Sequence, residues 1–373
     1  MSAPSTEIAV VTECQPGRGT LTSFWFAAPI LREQNVKLSF CFTYKIKDTR
    51  RILFCRRIVF DGAAALRTGF GPGWYLLGII LRKQLAVYWH ETEWGIDAAR
   101  QVPQRLSAWK WVKTYLVRQA LRNRSVHHFQ VCQHGCNILV DRYGVSKDSV
   151  SLLNNCSNSE RALAHPYESA PKPGLFVAVG RLQPRKGVDL FLDIAQKVAA
   201  ERPESRFVWI GAFTDAPYSE EHLKARVQER QLDQNVTFAG FMDDPLTVMS
   251  EAEAVLLTSR DDPFPKVLQE ALAVGRSCVA FDVGGAREIL DDLGETVPVG
   301  DVDAFARCLT DPSRRAQDGA TQRRRRERYQ ALYSKDAFAT RFLEVLGSWD
   351  RQAQRGQDSE DAADRSETTV PKG

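Results

Sequence analysis

At 373 residues, 43% hydrophobic and 26% charged, the chain is long enough for two domains and has the composition of an ordinary soluble globular protein. A membrane-spanning helix is excluded: the longest apolar stretch, near Trp74 to Leu81, stops at Arg82-Lys83, far short of the roughly 20 residues a bilayer crossing needs. The opening residues carry no basic region followed by an apolar core, so no secretory signal is expected and the chain is placed in the cytoplasm.

Charge divides the chain. Residues 1–165 hold 22 Lys and Arg against 11 Asp and Glu, and the remainder holds 28 against 35. A basic first half ahead of an acidic second half predicts an anionic partner for the first, and without a nucleic-acid motif that partner is expected to be a membrane surface. In chain order, Ile8 to Val11 reads as a short strand, Cys14 to Thr20 as a loop containing Gly17 and Gly19, Leu21 to Glu33 as a helix and Lys37 to Thr43 as a strand. Arg50 to Phe60 reads as an apolar strand laced with arginines, and Leu85 to His90 as another. A histidine just past the end of a parallel strand, as His90 is, points at a ligand crevice.

Residues 98–124 read as a helix in which Trp109, Trp111, Tyr115 and Leu116 alternate with Lys110, Lys113, Arg118, Arg122 and Arg124. Some of its rings are expected in the core, while its basic face suits an anionic bilayer. His127, His128, Cys132, His134 and Cys136 are metal-ligand types, but no second pair follows at zinc-like spacing, and the segment fits a strand and a helix. No metal site is expected. The eight cysteines are scattered, several in apolar runs, as suits reduced thiols. A strand over 150–153 closes the first half, and Glu168 to Gly174, with two prolines and a glycine, reads as an interdomain linker.

Leu175 to Val179 is a strand candidate leading into Gly180-Arg181-Leu-Gln-Pro-Arg-Lys186-Gly187, and a helix runs from Val188 to Ala200. Two cations five residues apart at a strand's carboxyl end can grip a diphosphate, arginine as a fork and lysine as a point charge. Strands over 206–211 and 235–241, the second ending at Gly240-Phe241, flank a polar helix over 220–231. From Leu256 to Gly285 the pattern is strand, loop, helix, strand, loop, which sets an anion-binding helix N-terminus at the carboxyl ends of parallel strands. That loop carries Asp262 and, eight residues on, Glu270, with Phe264 and Lys266 between. Arg323 to Arg326 with Arg328 reads as a solvated helix face, Ala337 to Leu346 as an apolar-striped helix, and the acidic residues beyond Gln354 as a disordered tail.

Together these motifs resemble those of the retaining family-4 glycosyltransferases, two-domain enzymes that use a nucleotide-activated sugar. Asp262-Pro263-Phe264-Pro265 and Glu270-Ala271 stand where that family has Glu-Pro-Phe-Gly and then Glu-Ala. Gly180-Arg181 with Lys186-Gly187 is similar to the element that contacts the donor diphosphate, and Gly284-Gly285 to a turn before a helix. Asp262 shortens the first acid by one methylene, and Pro265 removes a backbone N–H. The likeness is close over about residues 175–305 and is one of layout in the first half.

The resemblance implies an α/β fold of two Rossmann-like domains facing across a cleft, with a C-terminal helix crossing back to the first domain. The corresponding limits are 1–168, 169–334, 335–353 for the crossing helix and 354–373 for the tail. It implies transfer of a hexose-type sugar from a nucleoside diphosphate sugar to a glycan or lipid-linked acceptor, with retention, without metal and with no cofactor beyond the donor. In that scheme Arg181 and Lys186 stabilise the diphosphate, Glu270 holds the ribose, Asp262 orients the sugar and His90 faces it. Gly17, Gly19, Gly240, Phe241, Phe264, Lys266 and Val267 contact the donor. The charge split adds the expectation of a peripheral position on the cytoplasmic membrane face. The alternatives are a non-catalytic glycan- or nucleotide-binding subunit of the same fold, and a nucleotide-sugar epimerase.

Overall fold

The computed structural model describes residues 6–12, 21–42, 46–62, 71–90, 122–123, 125–311, 313 and 318–367. Gly17, Gly19 and nearly all of the aromatic and basic segment 98–124 lie outside the described residues. The chain forms two compact units, one of residues 1–154 with 338–373 and the other of residues 155–337.

In the first unit six parallel strands are ordered β2-β1-β3-β4-β5-β6. They are β1 (Thr6–Thr12), β2 (Val36–Phe42), β3 (Arg57–Asp61), β4 (Gln84–Trp89), β5 (Val126–Gln130) and β6 (Val150–Leu152). Ile8 to Val11 and Leu85 to Trp89 are wholly buried. A parallel sheet covered on both faces needs such continuous apolar runs. Arg50 to Phe60 is not a single strand: Ile46–Phe54 is a helix that buries Ile52, and β3 begins only at Arg57. Phe54 would face the core in a buried strand; as the helix end it stands 85% exposed. His127 lies on β5, bonded to Ser151 Oγ at 2.9 Å and to Gln352, and burial pushes its imidazole down to about 4. His128 accepts from Trp89 Nε1 at 3.0 Å. Among the described residues no group of side chains could hold a metal ion, the seven described cysteines are free, and no helix is long and apolar enough to cross a membrane.

The second unit repeats the plan with strand order β12-β11-β10-β7-β8-β9, all parallel. Its strands are β7 (Lys172–Val179), β8 (Arg206–Ile210), β9 (Val236–Gly240), β10 (Ala252–Leu257), β11 (Ser277–Phe281) and β12 (Glu295–Val297). From β7 the chain builds outward to β8 and β9, then returns to place β10 on the other side. The β7/β10 pair is therefore the topological switch point, where open α/β sheets form their ligand crevice.

Three expectations from the sequence are corrected. The units divide at Asn154/Asn155, ahead of the proline-rich stretch 168–174. Asn155 donates to Phe264 O and accepts from Gln269 Nε2, Ser157 bonds Tyr329, and Arg161 pairs with Asp244, so residues 155–165 are tied into the second unit before the prolines are reached. The C-terminal helix runs from Lys335 to Glu367, past the point where a disordered tail was expected. Residues 354–367 lack an apolar stripe, but eight of the fourteen are Ala, Glu, Gln or Arg, whose helix propensity is high, and they extend a helix already nucleated by packing. Upstream, that helix sets Phe338 and Trp349 edge-on against Phe24 and Phe129, at 5.1 and 5.7 Å.

The third correction concerns the arginine cluster, which is only partly a solvated face. In the Gly319–Tyr333 helix Gln322, Arg325, Tyr329 and Tyr333 point inward, at helical spacing. Arg325, 2% exposed, donates to Leu293 O at 2.9 Å, and burial pushes its guanidinium down to about 10. Arg326 donates to Leu163 O (2.6 Å), Ala273 O (2.7 Å) and His165 O (3.0 Å), while Arg328 takes Glu288 O and Ile289 O. These carbonyls lie at the carboxyl ends of three helices, 159–164, 266–273 and 286–290, which have no partners within their own helices. Arg326→Ala strips three of them at once and should lower the unfolding free energy by about 2–4 kcal/mol. The exposed Arg323→Ala should change it by less than about 0.5 kcal/mol. Urea denaturation of both variants measures the contrast, and equal small effects would return the cluster to the surface.

Candidate active site at the switch point of the second unit

The loops after β7 and β10 approach each other so closely that backbone replaces side chain between them. Gly187 has φ +68, and a Cβ there would lie 2.0 Å from Thr258 O. Gly211, just past β8, would put a Cβ 1.9 Å from Gly180 O. Both positions require glycine, one for conformation and space and the other for space alone. Thr258 Oγ1 donates to Lys186 O at 3.0 Å, Arg260 N to Arg185 O at 2.8 Å, and the Arg260 guanidinium grips Asp189 with both nitrogens. These ties hold the 180–187 turn against the 258–262 segment.

Within this frame Lys186 Nζ meets Asp262 Oδ2 at 2.5 Å, with the two side chains 15% and 13% exposed. The first acid of the loop thus neutralises the second cation of the turn, a contact that neither motif reveals alone. Arg181 is exposed and makes no hydrogen bond or ion pair among the described residues, so its five donors are available to an anion. Gly187 also leads into the Val188–Glu201 helix, whose first amides lack intrahelical partners and favour negative charge.

Pro265 stands at the N-cap of the Lys266–Ala273 helix, with no side-chain cap. Glu270, one turn in, is partly accessible and has no hydrogen-bond or ion-pair partner among the described residues. Burial raises its carboxyl to about 7, opposed by Lys266 and Arg161 and reinforced by Asp244. Burial likewise lowers the ammonium of Lys266. Two assigned donor contacts sit in the core: Phe264, 3% exposed, packs its ring 5.8 Å from Tyr333, and Val267 is buried. Their side chains hold the loop, leaving only backbone to face a ligand. Gly240, with φ +73, ends β9 and is followed by Phe241, whose ring is 73% exposed. His90 lies just past β4 in the first unit, its ring 4.4 Å from Tyr88, edge to face.

Asp244, missed in the sequence, carries Arg161 at 3.1 Å and His165 at 3.0 Å and shapes the field at Glu270. No local pattern marked it, because its partners lie some 80 residues upstream. Gly211 did leave a signal, as a glycine directly after a buried strand.

Residues 173–311 match the family described as glycosyl transferases group 1. Two similar proteins are the D-inositol 3-phosphate glycosyltransferase of Jonesia denitrificans, 36% identical over 121 residues, and the phosphatidyl-myo-inositol mannosyltransferase of Mycobacterium tuberculosis, 30% identical over 174. These matches cover 31% and 45% of this chain and 28% and 44% of the relatives, so the chain spans less than half of their length. Among solved structures, Anabaena HepE in complex with UDP has a TM-score of 0.67 at 15% identity, covering 92% of this chain and 100% of that one. Sucrose-phosphate synthase from Thermosynechococcus elongatus also scores 0.67, at 18% identity, covering 91% and 98%. At such identities the likeness is one of fold.

Glu270 gives a test of whether this edge is built for a ligand. Burial raises its folded-state carboxyl from the ordinary 4.5 to about 7, so the folded chain holds a proton that the unfolded chain releases between those values. Stability from this group therefore falls as pH rises from about 4.5 to about 7, and the penalty is fully present above 7. Glu270→Gln should raise the Tm of the ligand-free protein at pH 8 and lose that advantage by pH 4.5. A lower Tm at pH 8 would make Glu270 an anchor of its own helix.

Proposed function

Taking residues 173–311 as belonging to the group 1 glycosyltransferases, we propose that the chain moves a hexose-type sugar from a nucleoside diphosphate sugar to a glycan or lipid-linked acceptor, with retention of anomeric configuration. The observation that carries the reading is the meeting of Lys186 and Asp262 at 2.5 Å on the switch-point edge, beside the exposed Arg181. In this reading the two cations serve a diphosphate, and an acid holds one of them in position. As the bond from the anomeric carbon to phosphate oxygen breaks, charge grows on the departing diphosphate, and preorganised donors stabilise that state more than the ground state.

Arg181 and Lys186 supply the countercharge in this scheme, and the reaction is proposed to need no metal. Glu270 accepts from the ribose hydroxyls, with its low burial-imposed acidity relieved by those bonds. Asp262, already bound to Lys186, orients the sugar. His90, on the carboxyl edge of the first unit, is assigned to the transfer step. The fold's likeness to a UDP-bound structure supports a nucleotide donor, and a relative named as a phosphatidyl-myo-inositol mannosyltransferase supports a lipid-linked acceptor.

The reading is tested by titrating UDP and UDP-glucose into the protein and then following UDP release with a lipid extract as acceptor. Arg181→Ala should fold normally, since the side chain is exposed, and should lose about 10²-fold in turnover. Glu270→Ala should weaken nucleotide binding at least about tenfold, the worth of one or two charge-assisted hydrogen bonds. Chelation with EDTA should leave the rate unchanged. Activity lost to EDTA and restored by manganese would overturn the metal-free mechanism, and nucleotide binding without turnover on any acceptor would favour a binding subunit in which Pro265 has cost the loop an amide.

A further inference from the structure

The carboxyl edge of the first unit's sheet carries His90; its amino edge carries a different surface. There the Ile46–Phe54 helix leads into β3, and the Gly71–Ile80 helix leads into β4, the neighbouring strand. The two junctions are bolted together: Lys83 Nζ donates to Leu53 O at 2.5 Å and to Cys55 O at 2.8 Å, and Gln84 N donates to Arg56 O at 3.0 Å. What this fixed ledge presents is apolar. Of the eight large apolar side chains exposed among the described residues, Leu53, Phe54, Ile80 and Leu81 belong to it, with Phe54 at 85% and Ile80 at 74%.

Around these tips cations outnumber acids. Residues 49–60 and 71–84 contain Arg50, Arg51, Arg56, Arg57, Arg82 and Lys83 and no Asp or Glu. The acids facing the ledge are already engaged: Asp48 is buried and accepts from Phe42 N, Glu7 pairs with Lys37 at 3.1 Å, and Asp350 with Arg57 at 2.9 Å. Single exposed apolar residues are ordinary on a protein surface, but a rigid group of four ringed by cations is not. We propose that this ledge is a docking surface for an anionic phospholipid bilayer, with Phe54 and Ile80 inserted at the headgroup boundary and the surrounding arginines on lipid phosphates. Apolar tips supply insertion and the cations supply attraction, the two-part chemistry of an interfacial anchor. The ledge gives the membrane contact suggested by the charge of the first half a location in residues 50–57 and 80–83, independent of the 98–124 segment.

The test is vesicle sedimentation of the whole chain with phosphatidylcholine alone or with 30% phosphatidylserine, at low and physiological salt. The wild type should bind the anionic vesicles, more weakly as salt is raised. Phe54→Ser with Ile80→Ser should weaken that binding at least tenfold, and Arg50→Glu with Arg56→Glu should abolish the preference for phosphatidylserine. These side chains are exposed, so unchanged thermal melting is expected and confirms that the variants fold. Wild-type binding by the Phe54/Ile80 variant would overturn the proposal and place any contact elsewhere. A wild-type dimer that the same substitutions dissociate, with no vesicle binding, would make the ledge a self-association face and overturn it too. UDP titration reports on the second unit separately, so the transfer reading and the docking surface fail independently.

Discussion

The contact between Lys186 and Asp262 is possible only because two loops that leave adjacent parallel strands are allowed to touch. Strand order sends the β7 turn toward one side of the sheet and the β10 loop toward the other, which opens a crevice between them. Glycine at 187 then removes the Cβ atom that would hold these two backbones apart, and Gly211 does the same between the ends of β7 and β8. With the backbones in contact, an ammonium and a carboxylate from residues 76 positions apart meet while mostly shielded from water. In that setting each charge fixes the other, so the site is ordered before any ligand arrives. Arg181, left exposed, keeps its full charge for the anion.

Glu270 illustrates the opposite arrangement on the same edge. The surrounding protein desolvates its carboxyl without supplying a hydrogen bond, so the folded chain bears a strain that a ligand hydroxyl could relieve. Lys266 and Arg161 only partly offset that desolvation. A binding surface often carries such local costs, and the rest of the unit compensates for them through packing and satisfied backbone.

Much of that satisfaction comes from arginines. Arg326 and Arg328 reach from one helix to carbonyl groups at the ends of others that backbone capping leaves without partners, and Arg325 reaches Leu293 O in the turn beyond the 286–290 helix. Long side chains with several donors in a fixed plane suit this task better than lysine would. Two of the bonds run to the 159–165 segment, and so the same helix that closes the second unit also fastens its entry.

Repeated apolar runs followed by glycine, as at Val179-Gly180 and Ile210-Gly211, declared buried parallel strands, and the order of strands and helices made an α/β chain of two sheets legible without coordinates. Arg181, Lys186, Asp262 and Glu270 were legible as candidates, since charged residues at strand ends follow a local pattern. What local pattern could not carry was facing. Arg323 and Arg325 look alike in the chain, yet a helix turns 100° per residue and sends one to water and the other into the core. The ring of Phe264 is turned into the core against Tyr333, 69 residues on, which the loop's own pattern does not show. The division at Asn154/Asn155, the Lys186 to Asp262 pair and the clustering of Phe54 with Ile80 likewise depend on which distant segments become neighbours. Local pattern carried most of the elements and the residue types at their ends, but not the 46–54 helix or the far end of the last one; which side chains are buried and which charges meet came from the folded chain, because burial and pairing are properties of contacts between segments far apart in sequence.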